Sequence, residues 1–160
     1  MSQDLPLRFR RAGAPDVEAV RRLVRDAYAQ WIPVIGREPM PMKADYAAAV
    51  REHEIDLFHA GDDLVALIEV IWQADHLFIE NVAVSPRHQR RGLGHRLLDH
   101  AAVRARAGGL SELRLLTNQA FASNVRLYQS VGFRIDRTEP FVCGGTTVYM
   151  SKRLAEPGES

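Results

Sequence analysis

The stretch VAVSPRHQRRGLGHRLL, Val82 to Leu98, decides the fold. It passes from a β-branched strand through a proline-marked turn and a basic glycine loop into a helix whose apolar residues recur at Leu97, Leu98, Ala101, Ala102 and Ala105. Such a junction is an anion cradle: Gly92 and Gly94 admit a ligand where a Cβ would block it, and the unpaired N–H groups of the first helical turn carry positive partial charge. A phosphate or pyrophosphate fits there. A nucleotide P-loop is excluded, since His95 and Arg96 follow Gly94 in place of Lys and Ser or Thr. A dinucleotide fingerprint is excluded because Leu97 stands where its third glycine belongs.

Outward from the cradle, the patterning is regular. LRFRRA (Leu7 to Ala12) reads as a first strand, and Pro15-Asp16 opens a helix striped by Val17, Val20, Leu23, Val24 and Ala27 that ends near Tyr28 to Trp31. Ile32 to Met42, with its prolines and a glycine, reads as a loop, and ADYAAAVREH as a second helix. IDLFHA and LVALIEVIW form a hairpin around Gly61-Asp62-Asp63, and HLFIENVAV is the third consecutive strand. Beyond the cradle helix come the strand SELRLLTN, the helix SNVRLYQSVGF with Ser123 as its N-cap and Gly132 as its stop, and two strands turned at Gly144-Gly145. There is no internal repeat, low-complexity tract or linker. A chain of 160 residues is therefore expected to be one domain over 1–160, with a core from Leu7 to Leu154 and a disordered tail over 155–160.

QRRGLG, Gln89 to Gly94, resembles the Q/R-x-x-G-x-G/A signature of the GNAT superfamily of acyl-CoA-dependent N-acyltransferases, and the resemblance extends through LFIENVAVSP upstream and NVRLYQSVGF downstream. The order β, α, α, β, β, β, α, β, α, β, β is that family's order. It implies an α/β (mixed α+β) fold: a central, mostly antiparallel twisted sheet of about seven strands flanked by about four helices. It also implies an acetyltransferase that uses acetyl-CoA as co-substrate, with no metal, and that acetylates a primary amine of a small molecule, peptide or protein by direct attack in a ternary complex. The alternative is a non-catalytic module that binds acyl-CoA as a regulatory ligand; the presence of both Glu80 and Tyr128 argues against it.

Acetyl transfer to an amine requires a neutral amine, a stabilised carbonyl oxygen and a stabilised thiolate. Glu80 is the candidate base: in unbroken alternation it shares a face with Phe78, Val82 and Val84, one strand step from the cradle. Tyr128, whose family counterpart points its hydroxyl at the coenzyme sulfur, is the candidate acid. The resemblance assigns coenzyme binding to the backbone of Val82, Ala83 and Val84, to Gln89, Arg90, Arg91, Gly92, Leu93, Gly94 and His95 of the loop, with Arg87 beside it, and to Asn124. Here the chain departs from the commonest family pattern, because the helix asparagine stands at Asn124 and Phe121 occupies its usual place. Family topology puts the amine against a wall of Tyr28, Trp31, Met40, Met42 and Tyr46, with Phe141 near, and leaves a homodimer open.

Composition narrows the alternatives. A formal net charge of +1 and a basic cluster confined to Arg87–Arg91 exclude a broad nucleic-acid-binding face, and no apolar run is long enough to span a bilayer. The single Cys143 and an amino terminus without a signal-like apolar stretch lead us to expect a cytoplasmic protein. His53, His76 and His88 have no metal-ligand spacing.

Overall fold

A computed structural model describes residues 5–155, so the expected disordered tail lies, but for Ala155, outside the described residues. The strands are β1 (Arg8–Arg11), β2 (Glu54–Ala60), β3 (Asp63–Trp72), β4 (Leu77–Val84), β5 (Glu112–Asn118), β6 (Arg134–Pro140) and β7 (Thr146–Arg153). The helices are α1 (Val17–Tyr28), α2 (Ile32–Ile35), α3 (Tyr46–Glu52), α4 (Leu93–Ala107) and α5 (Ala122–Ser130). They build one seven-stranded sheet in the order β1-β2-β3-β4-β5-β7-β6, in which only β4 and β5 run parallel. The expected fold class is therefore observed.

Two local readings are corrected. Ile32 to Met42 is not a bare loop, for it holds the one-turn helix α2, ended by the left-handed Gly36, and the start of a 3-10 turn over Met40–Lys43. Ser123 does not cap α5: Phe121 precedes the first helical residue, Ala122, and the side-chain bond that steadies this corner runs instead from the Ala120 N–H to Asn118 Oδ1 at 2.9 Å. The turns at Gly61 and Gly144-Gly145 are where the sequence puts them, all at positive φ.

A bulge in β4 matters most for the site. Ile79 pairs with Val70 and Asn81 with Glu69, which leaves Glu80 as the extra residue. The alternation thus breaks. Leu77 and Ile79 pack on the α4–α5 side, as do Val82 and Val84 beyond the bulge, while Asn81 and Ala83 turn to the α1–α3 side. Glu80 does not share a face with Val82 and Val84, contrary to the expectation from period two.

The second feature is a gap. β4 and β5 pair only from Leu77↔Leu113 to Ile79↔Leu115 and then separate, while β5 continues against β7 as far as Asn118↔Thr147. The edge of β4 from the bulge to Val84 is thereby open. Helix α4, which starts where that edge ends, is fixed on the sheet by apolar packing and by buried Asp56 of β2, whose carboxylate accepts from His100 Nε2 at 2.7 Å and Arg104 at 3.1 Å.

Candidate active site

The cradle is built mainly from backbone. After Pro86–His88 the chain passes through left-handed Arg90 (φ 65°) and Gly92 (φ 79°) into α4, and the N–H groups of Arg90 to His95 donate to no other group among the described residues. Free amides at a helix N-terminus are an anion site. Arg90 holds this shape without being glycine, a strain of roughly 1–2 kcal/mol that the rest of the loop sustains.

The two glycines serve different ends. Gly92 is required by its positive φ, and a Cβ there would meet nothing within 4 Å. At Gly94 a Cβ would lie 2.7 Å from Leu127 Cδ2, so this glycine also lets α4 and α5 pack closely, a role the sequence reading did not include. Gln89 Nε2 donates to the Val84 carbonyl at 3.0 Å, stapling loop to strand. Arg87, Arg90 and Arg91 are exposed and form no ion pair among the described residues, Leu93 is a buried anchor, and His95 Nε2 sits 3.3 Å from Ser130 Oγ of α5.

The open edge of β4 has a definite polarity. Ser85 donates its N–H to Val65 O at 2.8 Å, so alternation along an antiparallel strand turns Ala83 toward β3 and Val82 and Val84 toward the gap. Ala83 therefore spends its backbone groups on the sheet, against expectation. The Val84 carbonyl is taken by Gln89 and the Val82 carbonyl lies 3.3 Å from the Tyr28 hydroxyl, so the two N–H groups are what the gap offers.

A cavity of about 460 Å³ opens beside this edge, and Glu80, Val82, Asn124 and Tyr128 all line it, as do Tyr28, Met40, Tyr46 and Phe141 of the expected amine wall. Trp31 and Met42 do not: Trp31 stacks on Phe121 with centroids 4.7 Å apart, and Met42 is buried in the core beneath α1. Tyr128 is buried with its ring 5.9 Å from that of Phe133, and burial pushes its hydroxyl up to about 12. That hydroxyl has no hydrogen-bond partner among the described residues. Glu80 stands on the cavity wall with its carboxyl held above the ordinary carboxylate range, first by loss of hydration and then by the charge of Glu69, against a smaller opposing effect of His53.

Three residues of this site escaped the sequence reading. Asn81 is buried and central to a network in which the Tyr28 hydroxyl donates to its Oδ1 at 2.8 Å and its Nδ2 donates to the Tyr46 hydroxyl at 3.0 Å, which donates on to Pro41 O at 2.7 Å. The network ties α1, α3 and the Met40–Lys43 turn to the bulge. Buried Glu69 of β3 and His53, at the end of α3, form a pair with Nδ1 and Oε2 2.6 Å apart on the cavity wall. The signal for Asn81 and Glu69 was their position inside otherwise apolar strands, where a polar residue needs a partner. Asn81→Ala is expected to cost about 2 kcal/mol, because the Tyr28 hydroxyl keeps only the longer bond to Val82 O and Tyr46 loses its donor. Urea unfolding with an unchanged slope and a lowered midpoint checks this, and a shift under ~0.5 kcal/mol would remove the network from the stability account.

Comparisons with known proteins agree with this geometry. The model of the acetyltransferase (GNAT) family matches residues 18–133. The chain belongs to that family. It is 35% identical over 85 residues to a [ribosomal protein bS18]-alanine N-acetyltransferase of Salmonella typhimurium, an overlap of 51% of this chain and 56% of the relative. It is 34% identical over 76 residues to a streptothricin acetyltransferase of Streptomyces lavendulae, covering 46% of this chain and 40% of that one. The chain thus spans about half the length of the curated relatives it matches. An N-acetyltransferase from Thermoplasma acidophilum, solved in complex with coenzyme A, shares the fold with a TM-score of 0.82 at 17% identity over 93% of this chain and 99% of that chain. No helix among the described residues is long and apolar enough to cross a membrane.

Proposed function

We propose that the protein transfers the acetyl group of acetyl-CoA to a primary amine of a small molecule, peptide or protein, by direct attack in a ternary complex. The observation that carries this is a succession of free donors: the amides of Arg90 to His95 and the N–H groups of Val82 and Val84 on the open edge of β4, with Val82 on the wall of the cavity that also holds Glu80 and Tyr128. The amides suit a pyrophosphate, and the gap between β4 and β5 suits an extended amide-bearing chain that pairs with β4 as a further strand would. In this reading an N–H of β4 polarises the thioester carbonyl.

Glu80 serves as the base. A lysine-like amine with pKa near 10.4 is neutral at pH 7 at a cost of roughly 4.6 kcal/mol, and a carboxylate whose proton affinity is raised by its surroundings offsets part of that. Tyr128 serves as a hydrogen-bond donor to the departing sulfur. With its hydroxyl pushed up to about 12 by burial, it stays protonated through the working pH range and is always able to donate. The thiolate then takes its proton from solvent.

The relatives' names point to amines of two kinds, a ribosomal-protein alanine and an antibiotic, and the test follows them. Thiol release from acetyl-CoA is measured with alanyl peptides, free amino acids, polyamines, aminoglycosides and streptothricin. Turnover with at least one class is expected; tight acetyl-CoA binding with no turnover on any would favour the regulatory module instead. Within that assay Glu80→Gln is expected to lower kcat/KM about a hundredfold at neutral pH. The loss should shrink at high pH, where the amine is already neutral, and the acid limb set by the carboxyl should give way to one that follows the amine's own ionisation. An equal loss at every pH would assign Glu80 to positioning.

A further inference from the structure

The bulge that isolates Glu80 also sets it beside a second acid. Glu69, the β3 partner of Asn81, is 3% exposed, and its one hydrogen-bond partner among the described residues is His53 Nδ1. His53 is held by its own backbone, which closes α3 with a bond from its N–H to Ala49 O at 2.8 Å. With Nδ1 given to Glu69, Nε2 is left without a partner among the described residues and is not sealed from water, and His53, Glu69 and Glu80 share the wall of the same cavity. A carboxylate behind an imidazole fixes which nitrogen carries the proton and stabilises the ring when it becomes cationic. Packing alone does not account for it, since an apolar pair would fill the middle of an apolar strand at no electrostatic cost.

We infer that His53, oriented by Glu69, is a proton relay that empties Glu80 after each transfer and passes the proton to solvent. The inference rests on the reading of Glu80 as the base. In the full sequence the amine nitrogen bonds to the acetyl carbon, the carbon–sulfur bond breaks, and the thiolate is protonated from solvent. The proton lost by nitrogen goes to Glu80, then through a cavity water to His53 Nε2, and from the imidazolium to bulk water, so that neither residue is changed at the end. His53 acts through Glu80 and is a positioning and relay residue. The charged and titratable groups that face this space are Lys43, Asp45, Tyr46 and Glu52 from α3 and the turn before it, Tyr28 from α1, Tyr128 from α5, and Arg37 across the mouth.

The test is chemical rescue. In the thiol-release assay, with acetyl-CoA and the panel amine of highest turnover, His53→Ala is expected to lower kcat about tenfold or more with KM for acetyl-CoA unchanged. Added imidazole should restore activity in proportion to its free-base concentration, which loss of packing would not allow. Glu69→Gln should lower kcat without rescue, and 15N NMR of the His53 ring should show the neutral-form proton on Nδ1 in the wild type and on Nε2 in that variant. If Glu80→Gln is inactive while His53→Ala keeps full activity, or falls without rescue, the relay is overturned and Glu80 stands as the base. Full activity of Glu80→Gln overturns the underlying reading, and with it the relay. A panel with no turnover at all overturns both.

Discussion

Tyr128→Phe is expected to lower kcat about a hundredfold or more, the size of effect seen when one preorganised donor is removed from a developing negative charge. The ring would still pack on Phe133, so folding and acetyl-CoA affinity should be nearly unchanged. Burial holds the hydroxyl near 12, so it stays protonated across the working range, and the pH profile of the Phe variant should keep the wild-type shape and lie below it by one factor. Measured kcat against pH for both proteins checks this. An unaltered rate under chemistry-limited conditions would return Tyr128 to the core.

What the sequence made legible was local. The glycine loop, the helix stripes and the hairpin turns depend on neighbours a few residues apart, and these were placed correctly, including the positive φ at Gly61, Gly144 and Gly145. The errors came from partners far along the chain. Whether Glu80 follows the alternation of β4 depends on its register with Glu69 and Val70 across the sheet, and no pattern within LFIENVAV announces a bulge. The packing role of Gly94 was not legible because the helix that crowds it, α5 at Leu127, lies beyond a whole strand. Trp31 and Met42 have the chemistry of a binding wall, yet the stacking of Trp31 on Phe121 and the burial of Met42 under α1 are set by tertiary packing. His53 was dismissed for want of metal-ligand spacing. Its partner is a carboxylate in the next strand but one, and only the fold brings them to 2.6 Å.

The glycines give the second large expectation, because the structure separates two roles that the sequence had merged. Acetyl-CoA at about a hundred times its dissociation constant should stabilise the native state by ~2.7 kcal/mol. For a domain of this size that is a rise in Tm of roughly 5–11 °C. Gly92→Val is expected to abolish the rise, since a β-branched residue cannot hold a φ of 79° and the run of free amides from Arg90 to His95 loses its alignment. The unliganded protein should stay folded, because the new side chain meets nothing within 4 Å. Gly94→Val should behave oppositely. Its Cβ falls 2.7 Å from the terminal methyl of Leu127, so that side chain must turn away and Tm of the unliganded protein falls modestly, while the response to the ligand is largely kept. Thermal melts of both variants with and without acetyl-CoA make the comparison. A Gly92→Val protein that retained the full shift would mean that the coenzyme is held by the strand edge and the arginines, and that the loop backbone contributes little.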